Sequence, residues 1–331
     1  MIQRLLKAAG GMLAGALLVL VPLASAHAQA GAAYPNKPIR LVLPFPAGGG
    51  GDSAGRLITA AASKYLNNQT FVVDNRTGTN GRIGVEFVIK SAPDGYTLVF
   101  SSGGALTIAP HLAKLSYDPF TDLLPITLGV VNDGVILVHP SFPAQNFREW
   151  LAEVKRNPGK YSYGTSGSGS TTHLAAEWLK SLAGIDIVHV PYKGDAPAIA
   201  DLMGGQIPMT MAVLASASQF IKSGRVRAIA SMGSARYPEF PDLQTVRENG
   251  IAGFQGGAWL GFLAPAGTPA DIVNRLNDAL RRAINEPEVR QKLVALGSTP
   301  AGGTAAEFAR FIRDEHANFG KLIRANNIKG E

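Results

Sequence analysis

Short apolar runs alternate with segments of helical spacing along most of the chain, and this alternation restricts the fold more than any other feature. In the first third, strand-like runs at 39–45, 70–73 and 96–100 are separated by helix-like segments at 56–66 and 82–92. A strand–helix–strand order favours a mostly parallel sheet with helices on both faces. The pattern therefore predicts an α/β fold.

A second series of the same kind begins near Gly134. Strands are predicted at 135–138, 161–163, 185–190, 207–213 and 227–232, with helices at 147–156, 173–182 and 196–203. After Gly250 come a strand at 259–264 and helices at 269–284, 287–296 and 304–325, the last opened by a capping box of Thr304 and Glu307.

Together the two series predict two lobes, each with a mostly parallel sheet. The first lobe comprises residues 29–130 and 251–331, and the second comprises residues 131–250. Hinge strands are expected near 128–131 and 250–254. A cleft should lie between the lobes, because open α/β sheets bind ligands at the carboxyl ends of their strands.

The N-terminal segment is typical of a secretory signal peptide. Arg4 and Lys7 precede an apolar run at 12–21, Pro22 ends that run, and small-residue cleavage sites extend to Ala28. The run is shorter than the ~20 residues that a membrane-spanning helix needs. We therefore expect residues 1–28 to be removed and the mature protein to be exported.

Composition excludes several classes of protein. The 331 residues carry a net charge of +7, but the basic side chains are scattered and do not form the stripe of a nucleic-acid groove. No cysteine is available for a disulfide, and the histidines lack metal-site spacing. We expect neither a nucleic-acid partner nor a metal or other cofactor.

Three loops rich in glycine or hydroxyl side chains lie between predicted strands and helices, at 44–53, 74–81 and 164–172. The first turn of a helix has unpaired N–H groups with a partial positive charge, and glycine allows a ligand to approach them. One such loop would be explained by turns and caps alone. Three at equivalent corners favour a site for an anionic oxygen group such as a carboxylate.

Two enzymatic interpretations rest on the first loop. The run Gly51-Asp52-Ser53-Ala54-Gly55 matches the pattern of a hydrolase nucleophile elbow, and the glycines with Asp74 imitate a dinucleotide-binding fingerprint. In both classes the motif should directly follow the strand, which the intervening prolines and glycines prevent. An exported hydrolase that uses Ser53 remains the alternative function.

Many motifs in order resemble the Bug family of extracytoplasmic solute receptors, the periplasmic components of tripartite tricarboxylate transporters. The matching runs are YPNKPIR at 34–40, PFPAGG at 44–49, PDGYTL at 93–98, YDP at 117–119, HVPYKG at 189–194 and GGT at 302–304. The resemblance implies a periplasmic, two-lobed Venus-flytrap protein of type II-like architecture, without catalysis or cofactor. It also implies a small carboxylate ligand and transient contact with membrane permease subunits, and we expect a monomer. A ligand sensor without a transport role is a further alternative.

The resemblance also implies which residues surround the ligand. In the first lobe they are Phe45, Gly48, Gly49, Asp52, Thr79, Asn80, Ser101 and Ser102, and in the second lobe Ser166, Gly167, Ser168, Thr171, His173 and Tyr192. Three of them have an alternative structural role: Asp52 as a cap of the helix near Ser53, His173 as a helix-start residue bonded to backbone, and Tyr192 as a packed hinge aromatic.

Overall fold

The computed structural model describes residues 34–254, 256–325 and 328. The expected signal peptide at 1–28 lies outside these residues. Among the helices that are described, none is both long and apolar enough to cross a membrane.

The first part of the chain forms a strand–helix alternation that ends in a long strand. Its elements are β1 (Ile39–Leu43), α1 (Gly50–Ala62), β2 (Phe71–Asn75), α2 (Arg82–Ile89), β3 (Thr97–Ser102), a π-helical turn (Gly104–Ile108), α3 (Ala109–Leu112) and β4 (Leu123–Asn132).

The middle part repeats the alternation. It comprises β5 (Gly134–Val138), α4 (Phe147–Arg156), β6 (Ser162–Thr165), α5 (Thr171–Ala183), β7 (Val188–Pro191), α6 (Asp195–Met203), β8 (Met209–Val213), α7 (Leu214–Lys222) and β9 (Arg227–Ser231). The last part comprises β10 (Ala258–Pro265), α8 (Ala270–Ile284), α9 (Pro287–Ala295), β11 (Thr299–Pro300) and α10 (Ala305–Ala325).

These strands form two sheets, which confirms the expected two-lobed α/β fold. The first sheet has the order β11-β4-β10-β3-β1-β2 and the second β7-β6-β8-β5-β9. Most strands of each sheet run in one direction, as expected: in the first sheet β1 to β4 run the same way, with β1 paired in parallel with β2 and β3, whereas β10 is antiparallel to both β3 and β4. The second sheet is mixed in the same way, with β5 antiparallel to β8 and β9. The reason is that β10 carries the chain back from the second lobe and enters the first sheet in the opposite direction.

The chain passes between the sheets at two points. β4 ends at Asn132 and β5 begins at Gly134, so Asp133 makes the outward passage. Phe254 is still packed in the core of the second lobe, and the return to the first sheet is complete at Ala258. Both passages therefore lie a few residues further along the chain than the ranges given for the hinge strands.

Apolar side chains cover both faces of each sheet. In the first lobe, Leu41 and Phe100 face α1 and α8 in one cluster, while Val42 and Val99 face α2 and α10 in another. This burial follows the strand alternation, in which successive side chains point to opposite faces. A further cluster joins the lobes, because Phe319 of α10 packs with Leu174 of α5.

Helix ends follow local signals in some places and not in others. The capping box forms as expected: Glu307 N–H donates to Thr304 Oγ1 over 3.2 Å, and Thr304 N–H donates to Glu307 Oε2 over 2.8 Å. By contrast, α1 begins at Gly50, six residues before its predicted start. Glycine has a low helix propensity, so the glycine-rich sequence predicts a later start than the one the tertiary fold produces.

Candidate functional site

A cleft of about 520 Å³ lies between the two lobes. The first lobe contributes Pro44, Phe45, Pro46, Gly50, Gly51, Thr77, Gly78, Asn80, Gly81, Ser102, Gly104, Asn132, Ala258, Leu260, Leu296 and Ser298. The second lobe contributes Ser166, Gly169, Ser170, Thr171, Val213, Ala215 and Ser216. A ligand in this cleft would touch both lobes at once.

Helix N-termini from both lobes open into the cleft. The first residues of α1, Gly50 and Gly51, line it from one side, and those of α5 and α7 line it from the other. In the described part of the chain, no hydrogen bond engages the backbone amides of Gly50, Gly51 or Thr171. Such free amides, together with the helix dipole, attract an anion.

None of the described residues that line the cleft carries a charge. Helix termini, hydroxyl groups and the amides of Asn80 and Asn132 are therefore the polar groups available to a ligand. Apolar surface from Phe45, Leu260 and Leu296 completes the lining. The chemistry suits a small molecule with anionic ends and an apolar middle.

Asp52 stabilises the conformation of the first loop through hydrogen bonds and does not line the cleft. Its carboxylate accepts hydrogen bonds from Gly48 N–H over 2.9 Å, from Arg56 Nε over 2.9 Å and from Asn75 Nδ2 over 2.9 Å. Asn75 Nδ2 also donates to the Phe45 carbonyl over 3.0 Å, which ties the first loop to the end of β2. Burial alone would raise the pKa of the Asp52 carboxyl, but the bonds from Arg56, Asn75 and Gly48 hold it below its ordinary value.

Phe45 and Gly51 fix how the start of α1 meets the cleft. A β-carbon at Gly51 would lie 2.8 Å from Cδ2 of the Phe45 ring, so the ring rests directly on the helix backbone. Glycine is required here by close approach, since a larger residue would push the ring away.

In the second lobe, Ser170 caps α5 at the cleft. Its hydroxyl accepts a bond from His173 N–H over 3.2 Å, the usual arrangement for an N-cap serine. The hydroxyls of Ser166 and Ser170 also bond Thr172 Oγ1, over 2.9 Å and 3.1 Å. This hydroxyl network orders the loop from Ser166 to Thr172.

A pair of stacked imidazoles supports the same loop from below. The rings of His173 and His189 stack with centroids 3.9 Å apart, His173 Nδ1 accepts from Gly169 N–H over 3.1 Å, and His189 Nε2 lies 2.7 Å from Thr165 Oγ1. Burial lowers the pKa of both histidines, that of His189 to about 4, and the His173 ring further disfavours charge on His189. Both rings are therefore neutral at pH 7.

The sequence matches the model of the tripartite tricarboxylate transporter family receptor over residues 55–328. The chain belongs to this family. Among curated relatives, Protein BugT of Bordetella pertussis is 32% identical over 301 residues, covering 89% of this chain and 91% of that protein.

Two solved structures from Rhodopseudomonas palustris extend the likeness to three dimensions. R. palustris Rpa4515 with adipate has a TM-score of 0.78 at 32% identity and covers 89% of this chain and 99% of its own. MatC with bound malate has a TM-score of 0.74 at 31% identity and covers 88% of this chain and 100% of its own. The resemblance inferred from the motifs is confirmed.

The structure brings five of the expected contact residues of this receptor to the cleft wall: Phe45, Asn80, Ser102, Ser166 and Thr171. Gly48 and Gly49 lie in the loop that precedes α1, with Gly48 bound to Asp52. Thr79 is exposed beside Asn80, and both residues adopt positive φ. Gly167 and Ser168 lie in the loop beside Ser166, and their contact with a ligand stays a prediction, as it does for Thr79, Gly48 and Gly49.

Four other expected residues point elsewhere. Ser101 is fully buried on β3, and its hydroxyl has no partner among the described residues. Asp52 and His173 make the loop contacts already given. Tyr192 O–H donates to Asp201 Oδ2 over 2.8 Å, and its ring packs against the core of the second lobe.

Several residues that line the cleft were not predicted from the sequence. Ala215 and Ser216 lie in the first turn of α7, which follows β8 without a breaking residue. Leu296 and Ser298 come from the far C-terminal segment. Asn132 lies at the passage between the lobes, at the end of the long strand β4. That position is the one feature that could have indicated its place in the cleft wall.

Ser53 is not arranged as a hydrolase nucleophile. It lies within α1, ten residues after the end of β1, and no described histidine is hydrogen-bonded to its hydroxyl. Within the described residues, no group of three His, Cys, Asp or Glu side chains is placed to hold a metal ion.

Proposed function

We propose that this receptor captures a small dicarboxylate in the interlobe cleft and presents it to the permease subunits of a tripartite transporter. The observation that carries the proposal is the uncharged cleft wall into which helix N-termini of both lobes open. Backbone amides can hold a carboxylate from each side without a lysine or arginine, and they favour anions over neutral analogues.

The size and lining of the cleft favour two acidic ends on a short chain. Its volume of about 520 Å³ lies within the range for small-molecule sites. Phe45, Leu260 and Leu296 offer apolar surface for methylene groups between those ends. Relatives solved with adipate and with malate support this ligand class.

Capture would depend on rotation of the lobes about the two passages, at Asp133 and between Phe254 and Ala258. A ligand that touches Gly50 and Thr171 together makes its full contacts only when the lobes are closed. Its differential affinity would then shift the population toward the closed form. Closure of this kind accounts for recognition by permease subunits, which must distinguish loaded from empty receptors.

The same proposal places the mature protein in the periplasm as a monomer, after removal of residues 1–28, and without a catalytic role. Its membership of a receptor family supports this, and so does the position of Ser53 inside α1. A hydrolase would instead turn over ester substrates in a manner abolished by Ser53→Ala.

A ligand panel with uncharged isosteres tests the proposal. Thermal unfolding would be followed with malonate, malate, glutarate and adipate, each beside its diamide. A dicarboxylate at about 100 times its Kd should add about 2.7 kcal/mol of stability, and its diamide should add none. Stabilisation by no dicarboxylate, or equal stabilisation by the diamides, would refute the proposal. Transport is tested separately: deletion of the gene should abolish cellular uptake of the dicarboxylate that stabilises the protein.

A further inference from the structure

The strands β4 and β10, which adjoin the two passages between the sheets, are called the passage strands. A second cavity, larger than the ligand cleft, lies on the other side of these strands. Its volume is about 760 Å³, and Val131, Asp133 and Trp259 line it, whereas Asn132 and Leu260 line the ligand cleft. Alternate residues of β4 and β10 thus face opposite ways, as strand geometry requires. We call this space the rear cavity.

The rear cavity has aromatic walls. Trp178 of α5 and Trp259 of β10 line it together with Phe311 and Phe319 of α10. The Phe311 and Trp259 rings meet edge to face with centroids 5.7 Å apart. Aromatic faces attract organic cations, and tryptophan does so most strongly.

Asp133 places a carboxyl in this cavity. The residue is only 6% exposed, and no described residue makes a hydrogen bond or ion pair with its side chain. A buried acid without a counter-charge is costly, so burial raises the pKa of Asp133 to about 6. A bound cation would supply the missing counter-charge.

Glu315 adds a second carboxyl on the α10 side. Its Oε2 accepts bonds from Trp259 Nε1 over 2.6 Å and from Thr107 Oγ1 over 2.7 Å, while Oε1 has no partner among the described residues. Burial outweighs these two bonds and raises the pKa of Glu315 to about 7.

The other charged residues of the rear cavity are exposed. Arg247, Asp314 and Lys321 line it but remain in contact with water, which screens them. The ionisable groups of the rear cavity that are shielded from water are therefore the carboxyls of Asp133 and Glu315.

We propose that the rear cavity is a second binding site, which takes a small organic ammonium compound with its cationic group against Asp133 and the aromatic rings. Because the passage strands separate this site from the ligand cleft, a cation there and a carboxylate in the cleft bind at the same time.

Titration calorimetry with choline chloride tests the site, with 3,3-dimethylbutan-1-ol as the uncharged isostere. We expect saturable binding of one choline per chain, no binding of the alcohol, and affinity at least about tenfold weaker in Asp133→Asn. Asp242→Asn, which removes an exposed carboxylate outside the rear cavity, should bind choline as the wild type does. Glu315→Gln serves as the second variant if Asp133→Asn unfolds.

Absence of saturable choline binding would overturn the proposal, as would equal binding of the alcohol or unchanged affinity in both variants. A repeat titration with saturating adipate locates the site, because loss of choline binding would place the cation in the ligand cleft instead. Failure of adipate to bind would count against the proposed function and leave the choline titration interpretable.

Discussion

Gly297 of the first lobe lies against Ala215 of the second, so closely that a β-carbon added to Gly297 would overlap the Ala215 methyl group. Beside this contact, Tyr237 O–H donates to the Val294 carbonyl over 2.6 Å. The end of α9 and the start of α7 thus meet at the cleft, and the two lobes are in contact there. Any side chain at Gly297 would hold them apart.

Gly297→Ala should therefore weaken carboxylate binding. Closure would have to displace Ala215, and we expect a loss of about tenfold in affinity, on the order of 1.4 kcal/mol. Gly297 also has φ +78°, so the variant suffers backbone strain. Gly224→Ala is the matched control, because Gly224 has φ +70° and open space around it. Equal affinities of the two variants in titration calorimetry would show that the contact does not govern closure.

Ser170→Ala should cost both stability and affinity. Loss of the cap of α5 destabilises by about 1 kcal/mol and releases the Ser166–Thr172 network at the cleft. Asn146→Ala removes a similar cap, since its side chain accepts from Glu149 N–H over 3.0 Å at the start of α4. The two variants should lose similar stability in urea unfolding, but only Ser170→Ala should lose dicarboxylate affinity. Wild-type affinity in Ser170→Ala would contradict this role of the loop.

Asp52→Asn should destabilise the first loop even though Asp52 lies behind the cleft wall. The change removes a buried charge that pairs with Arg56, and we expect a loss of about 1–3 kcal/mol in urea unfolding. Asp278→Asn breaks an exposed pair at the same spacing, Arg282 Nη1 to Asp278 Oδ2 at 3.6 Å, and should change stability by less than about 0.5 kcal/mol. Similar losses in both variants would contradict a structural role for Asp52.

The histidine stack predicts how stability depends on pH. The folded pKa of His189 is about 4, below its ordinary value of 6.5, so the folded state binds fewer protons than the unfolded state between these pH values. Stability should therefore fall as pH drops from 6.5 toward 4. His189→Gln removes this contribution, and its stability should fall less over the same range, by on the order of 1 kcal/mol. If the stability of wild type and of His189→Gln falls equally with pH in thermal unfolding, the lowered pKa of His189 does not contribute to the pH dependence.

The sequence predicts best where local chemistry acts alone. The loops at 44–53 and 164–172 stand out because glycine and hydroxyl residues sit between a strand and a helix, and the structure places parts of both in the cleft. The capping box at Thr304 depends on residues three apart, so it too could be predicted.

The remaining features depend on contacts between distant residues. No local signal predicts the start of α7, because β8 runs directly into it, without glycine or proline at Val213. The partners of Asp52 include Asn75 on another strand, which sequence spacing does not reveal. That Asn132 faces one cavity and Asp133 the other depends on sheet register. The antiparallel pairs, made by β10 in the first sheet and by β5 in the second, depend on how the chain passes between the lobes, which no local sequence pattern predicts.

A crystal structure with the dicarboxylate that stabilises the protein most would show whether backbone amides of both lobes hold the ligand. We predict one ligand carboxylate within hydrogen-bond distance of Gly50 or Gly51 N–H and of the Thr171 or Ser216 end of the second lobe, with no charged side chain in contact. A ligand bound outside the cleft, or held by a lysine or arginine while the α1 and α5 amides remain free, would contradict it.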